Sequence, residues 1–116
     1  KFYSILGPFP KKLPELLSQI INALDHIHSE GFTHRDIKPL NIILSNKFHL
    51  KIVDFGCSCT RAGPRGTGVL NGNTGTKGYQ APEIKNRNYD GAKVDIFATG
   101  VILFMMYTGR PPFKVA

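Results

Sequence analysis

Cysteine is scarce in this chain. Cys57 and Cys59 are the only two. As a Cys-x-Cys pair they suggest half of a metal site, but no other cysteine or paired histidine stands at ligand spacing, so they read as free thiols in a reducing compartment. Acidic residues are also few: 8 against 15 Lys and Arg, a formal net charge of +7. Such a balance favours anionic partners and raises nucleic acid as a candidate. The basic residues, however, are scattered from Lys1 to Lys114 with no dense block. They read as solvated surface, with two or three turned toward phosphate, so no nucleic-acid partner is expected. No signal peptide is read in these residues, which open on Lys1 rather than on a methionine, and they hold no internal repeat, low-complexity tract or linker. The apolar run in the last quarter reads as too short to span a bilayer, so no membrane span is expected. What remains is ordinary globular composition, 41% hydrophobic and 20% charged over 116 residues, enough for at most one domain.

Against that background one stretch stands out, His34-Arg35-Asp36-Ile37-Lys38-Pro39-Leu40-Asn41. It sets a carboxylate, an ammonium two residues on and an amide five residues on in one loop. Two short apolar runs follow, at 42–44 and 50–53, with Ser45-Asn46-Lys47 as the turn between them. They predict a β-hairpin, which delivers a second carboxylate at Asp54, in Asp54-Phe55-Gly56. Phosphoryl transfer from a nucleotide uses such a set: an acid to take a hydroxyl proton, a cation for the moving phosphoryl group, an amide and a second acid for magnesium.

The rest of the chain falls into place around this loop. Residues 1–6 read as the end of a helix, broken by Gly7-Pro8-Phe9-Pro10. Leu13, Leu16, Leu17, Ile20, Ile21, Leu24 and Ile27 keep helical spacing over about four turns. Pro14 suits the first turn and Gly31 the residue past the end. His26 and His28, near that end, read as packing residues. The stretch 63–75 is rich in Gly, Asn and Thr and low in apolar content, so burial alone does not order it. Residues 92–108 are apolar nearly all round, which predicts a buried core helix. Gly100 inside it suggests close packing against another backbone. Asp95 is a candidate buried carboxylate in need of donors.

His-Arg-Asp with Lys38 and Asn41, then Asp54-Phe55-Gly56, then Gly75-Thr76-Lys77-Gly78-Tyr79-Gln80-Ala81-Pro82-Glu83 resembles the eukaryotic protein kinase family, serine/threonine type. The entrance to the His-Arg-Asp loop and the stretch 99–113 look most like its calcium/calmodulin-dependent-like group. The resemblance implies an α+β fold: the mostly helical C-terminal lobe of a kinase domain, with a short β-hairpin carrying the catalytic and metal-binding loops. Residues 1–116 would be part of that domain, without its N-terminal lobe and final helices. It implies ATP and Mg2+ as cofactors and a protein substrate bearing Ser or Thr. Catalytic roles fall to Asp36, Lys38 and Thr76. Asn41 and Asp54 would hold the metal, and Ile43 would form the floor under the adenine. Arg35, with Thr67 and Thr74, would form a switch phosphorylated by an upstream kinase. Glu83 and Asp95 would be structural, Asp95 by holding the backbone of the His-Arg-Asp loop. Leu40 departs from the usual glutamate at its position, Met105 stands where kinases preferring basic substrates often carry a glutamate, and Gly72 stands where relatives often carry the phosphorylated threonine. The glycine loop and strand lysine that grip nucleotide phosphates are absent, so the 116 residues alone are expected to be inactive. The parent protein is expected to be an intracellular, cytoplasmic kinase, or alternatively a truncated or degenerate kinase serving as a non-catalytic scaffold.

Overall fold

The computed structural model describes residues 2–4 and 10–113. Strand β1 (Phe2–Ser4) opens the chain, where the sequence suggested a helix end. Its backbone pairs antiparallel with β3 (Ile42–Ser45), Tyr3 opposite Leu44. Pairing with a distant strand overrides local spacing in so short a segment. The remainder of 1–6, and the break at 7–9, lie outside the described residues. A turn of 3₁₀ helix at Pro10–Lys12 leads into helix α1 (Leu13–Ser29). Pro14 lies in its first turn, where a missing N–H goes unnoticed, and Gly31 follows its end.

Helix α1 buries Leu13, Leu16, Ile20 and Leu24; Leu17 and Ile27 are half-buried and Ile21 is exposed. This stripe packs with Ile37, Ile42 and Leu44, and with Ala98, Ile102 and Met106 of the last helix. Each fully buried Leu or Ile contributes about 1.5–3 kcal/mol of transfer free energy. Strand β2 (Phe32–Thr33) precedes the His34 loop, and β3 and β4 (Leu50–Ile52) follow it as the expected hairpin. Along β3, Ile42 and Leu44 point into the core while Ile43 faces the other way, opposite Lys51. Gln19 of α1 fastens the hairpin from outside the sheet. Its Oε1 accepts from Leu50 N at 2.9 Å and its Nε2 donates to the Phe48 carbonyl at 2.7 Å.

Strand β5 (Cys59–Thr60) pairs with β2, Thr33 opposite Cys59. The Gly-rich stretch beyond it is not left to itself. Leu70 is 1% exposed and sits in a second apolar cluster with Ala81, Ile84, Tyr89 and Val94. Its N–H and C=O pair with those of Tyr89, at 2.8 and 3.1 Å. One apolar anchor of its own, Leu70, and the partners that residues outside the loop supply for its side chain and backbone replace the burial that the rest of its composition lacks.

Helix α2 (Gly91–Thr108) starts at Asp90, whose Oδ1 accepts from Ala92 N at 2.9 Å, an N-cap. It is not buried all round as its composition suggested. Val94, Asp95, Ala98, Thr99, Val101, Ile102 and Met106 face the fold, but Ile96, Phe104 and Tyr107 are exposed. The elements packed on it cover only part of its circumference. Gly100 lies on the exposed side with open space where a Cβ would stand, so close packing is not its role. That role belongs to Gly91, where a Cβ would meet Thr33 Cγ2 at 2.3 Å. By length and composition alone, the 18 residues of α2 suffice to cross a bilayer, contrary to the reading of that run as too short. The core helix of a folded domain has the same length and composition, and α2 carries a buried aspartate and a packed face.

The Gln19 clamp is open to a direct check. In the full-length protein, Gln19→Leu leaves the Leu50 amide without its acceptor and lowers the unfolding free energy by about 1–2 kcal/mol. Urea denaturation measures it, and an unchanged midpoint would show that the hairpin holds without the clamp.

Candidate active site

The site is assembled on one buried carboxylate. Asp95 is 1% exposed, and a charge in that position is tolerated only when fully hydrogen-bonded. Its Oδ1 accepts from Arg35 N at 2.8 Å, and its Oδ2 from His34 N at 3.0 Å and His28 Nε2 at 2.7 Å. Two successive backbone amides of the loop are thus fixed to α2, and α1 contributes the third donor. The grip holds a backbone that needs holding: Arg35 has φ +68°, in the left-handed region. For a side chain larger than glycine that conformation costs on the order of 1–3 kcal/mol.

His34 carries the order one step further. It is fully buried. Its Nδ1 accepts from Asp36 N at 3.1 Å and its Nε2–H donates to the Val53 carbonyl at 2.9 Å, which together specify the tautomer. Phe55 stands edge-on to its ring at 4.8 Å. Val53 N in turn donates to the Asn41 carbonyl at 2.8 Å. Val53 is therefore tied to both ends of the His34–Asn41 loop, and Asp54 is the next residue along the chain. Asp54 is exposed, with φ +60°, and its Oδ1 accepts from Gly56 N at 3.2 Å.

Three side chains from two distant segments meet at Asp36. Thr76 donates its hydroxyl proton to Asp36 Oδ1 at 2.7 Å and accepts from Lys38 Nζ at 2.9 Å. Lys38 Nζ lies 3.9 Å from Asp36 Oδ2. Asn41 Nδ2 donates to the Asp36 carbonyl at 2.7 Å and to Oδ2 at 3.3 Å. With its nitrogen so committed, the Asn41 amide offers its oxygen to a cation. Asn41 and Asp54 are hard oxygen donors of the kind magnesium takes, one or two from protein with the rest from water and phosphate. The donor set therefore fits that metal. Tyr79 closes the turn after Thr76, its N–H donating to the Thr76 carbonyl at 3.1 Å. Burial pushes its phenol above the ordinary 10.0.

The other sequence-selected residues lie around this centre. Ile43 is half-buried on the sheet face turned away from the core. Leu40 is 80% exposed beside the loop. Glu83, in the 3₁₀ turn Pro82–Asn86, is half-buried with no ion-pair partner among the described residues. Thr67 is exposed on the outer loop, and Thr74 is half-buried, its carbonyl accepting from Gln80 Nε2 at 2.8 Å. The loop residue brought against Arg35 is neither threonine but Gly72, whose Cβ position lies 2.8 Å from Nη1. Cys57 and Cys59 are free thiols. Sequence reasoning missed Gln19 and Tyr89, which carry no periodic or motif signal, and took His28 for a packing residue. The donors that a buried Asp95 requires were a signal for His28, since a helix end leading into the loop is well placed to supply one.

Comparison with known proteins agrees with this geometry. A family model described as protein kinase domain matches residues 9–116. Among curated proteins, "CBL-interacting protein kinase 30" of Oryza sativa subsp. japonica is 48% identical over 97 residues, 83% of this chain and 20% of its own length. "CBL-interacting serine/threonine-protein kinase 26" of Arabidopsis thaliana is 46% identical over 97 residues, 83% of this chain and 22% of its own length. The chain thus spans about a fifth of the length of these relatives.

The Asp95 bridge has a measurable cost of removal. Asp95→Asn keeps the shape but turns one acceptor into a donor facing a donor, and lowers stability of the full-length protein by about 2–3 kcal/mol. Chemical denaturation reads the change, and a midpoint equal to that of the unaltered protein would show that the loop does not depend on this carboxylate.

Proposed function

Since the chain belongs to the protein kinase domain family, we propose that the protein carrying it transfers the γ-phosphate of ATP to serine or threonine hydroxyls of protein substrates, and that residues 1–116 lie within the C-terminal lobe of its kinase domain. The observation that carries this reading is the hydrogen-bonded set Thr76–Asp36–Lys38 beside Asn41. Thr76 holds Oδ1 of Asp36 at 2.7 Å, so the proton of an incoming hydroxyl goes to Oδ2, whose bond from Asn41 Nδ2 is the longer one at 3.3 Å. As the hydroxyl oxygen bonds to the γ-phosphorus, the bond from that phosphorus to the β-phosphate oxygen breaks, ADP departs, and the proton rests on Asp36. Lys38, held by Thr76 near Asp36, presents its charge to the oxygens of the moving phosphoryl group. Asn41 and Asp54 would hold magnesium, which when bound neutralises phosphate charge. Ile43, on the outer sheet face, would support the adenine.

The same reading extends to regulation and place. A phosphorylation switch at Thr67 or Thr74, acted on by an upstream kinase, would work by drawing the Arg35 guanidinium from its present partner Tyr89 into charge-assisted bonds with the phosphate. The two free thiols support a reducing, cytoplasmic location.

The test uses the full-length protein with Mg-ATP and generic serine/threonine peptides. Asp36→Asn lowers kcat by about 10²–10⁴. Asp54→Asn abolishes turnover with the fold retained, and chelation of magnesium does the same reversibly. Near-normal turnover by Asp54→Asn would overturn the metal assignment. No turnover by the unaltered, folded protein would favour a non-catalytic scaffold.

A further inference from the structure

The hydroxyl of Tyr89 does two things at once. It accepts from Arg35 Nη1 at 3.1 Å, and it donates to the carbonyl of Gly72. The residue is 5% exposed, seated in the cluster with Leu70, Ala81, Ile84 and Val94. Arg35 is held on its other sides: Nε donates to the Cys57 carbonyl at 2.8 Å, and the backbone amide to Asp95. One arginine therefore joins α2, the stretch after Asp54, and the loop that returns to Thr76.

From these contacts we propose that Tyr89 is a positioning residue for Asp36, its uncharged hydroxyl latching the loop around Gly72 to the Arg35 guanidinium so that Thr76 reaches Asp36 without a phosphate on the loop. The kinetic part rests on the kinase reading above; the structural part does not. Three further observations support it. Gly72 does not have a positive φ, so its backbone does not call for glycine. What calls for it is space, because a Cβ there would lie 2.8 Å from Arg35 Nη1. Next, the path from the latch to the reacting carboxylate is short and continuous. Gly75 packs so closely on Arg35 that a Cβ would stand 2.8 Å from the Arg35 carbonyl, and Thr76 then bonds Asp36. Last, no acidic residue lies between Asp54 and Glu83. The loop has no carboxylate of its own to pair with the guanidinium, and the phenol and carbonyl oxygens take that place.

The experiment compares the full-length protein with Tyr89→Phe, Gly72→Ala, Arg35→Lys and the Tyr89→Phe/Arg35→Lys pair. Phenylalanine keeps the buried ring and deletes only the oxygen. Alanine at 72 displaces only the flexible end of Arg35, so it breaks the latch with Tyr89 intact and stands in if Tyr89→Phe fails to fold. Hydrogen exchange of residues 70–76, with no nucleotide present, reads the latch itself; steady-state kinetics read its consequence. Faster exchange in Tyr89→Phe and in Gly72→Ala, with kcat down about tenfold, KM for ATP unchanged, and the double variant no slower than Arg35→Lys alone, is the expected result. Unchanged exchange overturns the latch. Faster exchange with full kcat, or losses that multiply in the double variant, overturns the positioning role. If the unaltered protein transfers no phosphate, the proposed function fails while exchange still decides the latch.

Discussion

Everything at this site depends on a carboxylate that bonds none of Asp36, Lys38 and Thr76. Asp95 is withdrawn from water on α2, and the three donors that satisfy it come from α1 and from two consecutive residues of the loop. The dependence is mutual. A buried carboxylate without donors is strongly destabilising, and a loop with a left-handed arginine would relax without the carboxylate. Stability and loop geometry are thus the same set of hydrogen bonds, and the site is rigid because the core is.

The order then spreads outward through short links. His34 joins the Asp36 amide to Val53, and Val53 returns to Asn41. Arg35 reaches Cys57 and Tyr89. Of the four non-glycine residues with positive φ among those described, Arg35 sits on these links and Asp54 directly follows Val53, one in each loop. Strain concentrated there, and held by surrounding bonds, is what pre-organisation looks like in a backbone. The acceptor carboxylate, its lysine and its threonine come from positions 36, 38 and 76, and only this lattice brings the last to the first two.

Much of this was legible in the sequence, and what was not has identifiable causes. The α1 stripe and the hairpin were readable because burial imposes a period, 3.6 or 2, on residues close in sequence. Asp36, Lys38, Asn41 and Asp54 were readable because their types and spacing form a recurrent pattern. Strand β1 was not, since three residues carry no period and its partner lies about forty positions away. The exposed face of α2 was not, because apolar composition does not tell which neighbours cover a helix. Gly100 and Gly91 look alike in sequence, yet only the second stands against Thr33. The Gly-rich loop was read from its own composition, while Tyr89, which orders it, lies outside it.

The central claim is that Asp95 holds the loop as tightly as the core itself, and amide exchange in the full-length protein tests it residue by residue. The amides of His34 and Arg35, which donate to Asp95, are expected to exchange only through opening close to global unfolding, as slowly as those of α1 around Ile20. Exchange of those two amides at the rate of the exposed stretch 65–68, while α1 stays protected, would show that the loop opens independently of the core and would contradict the account.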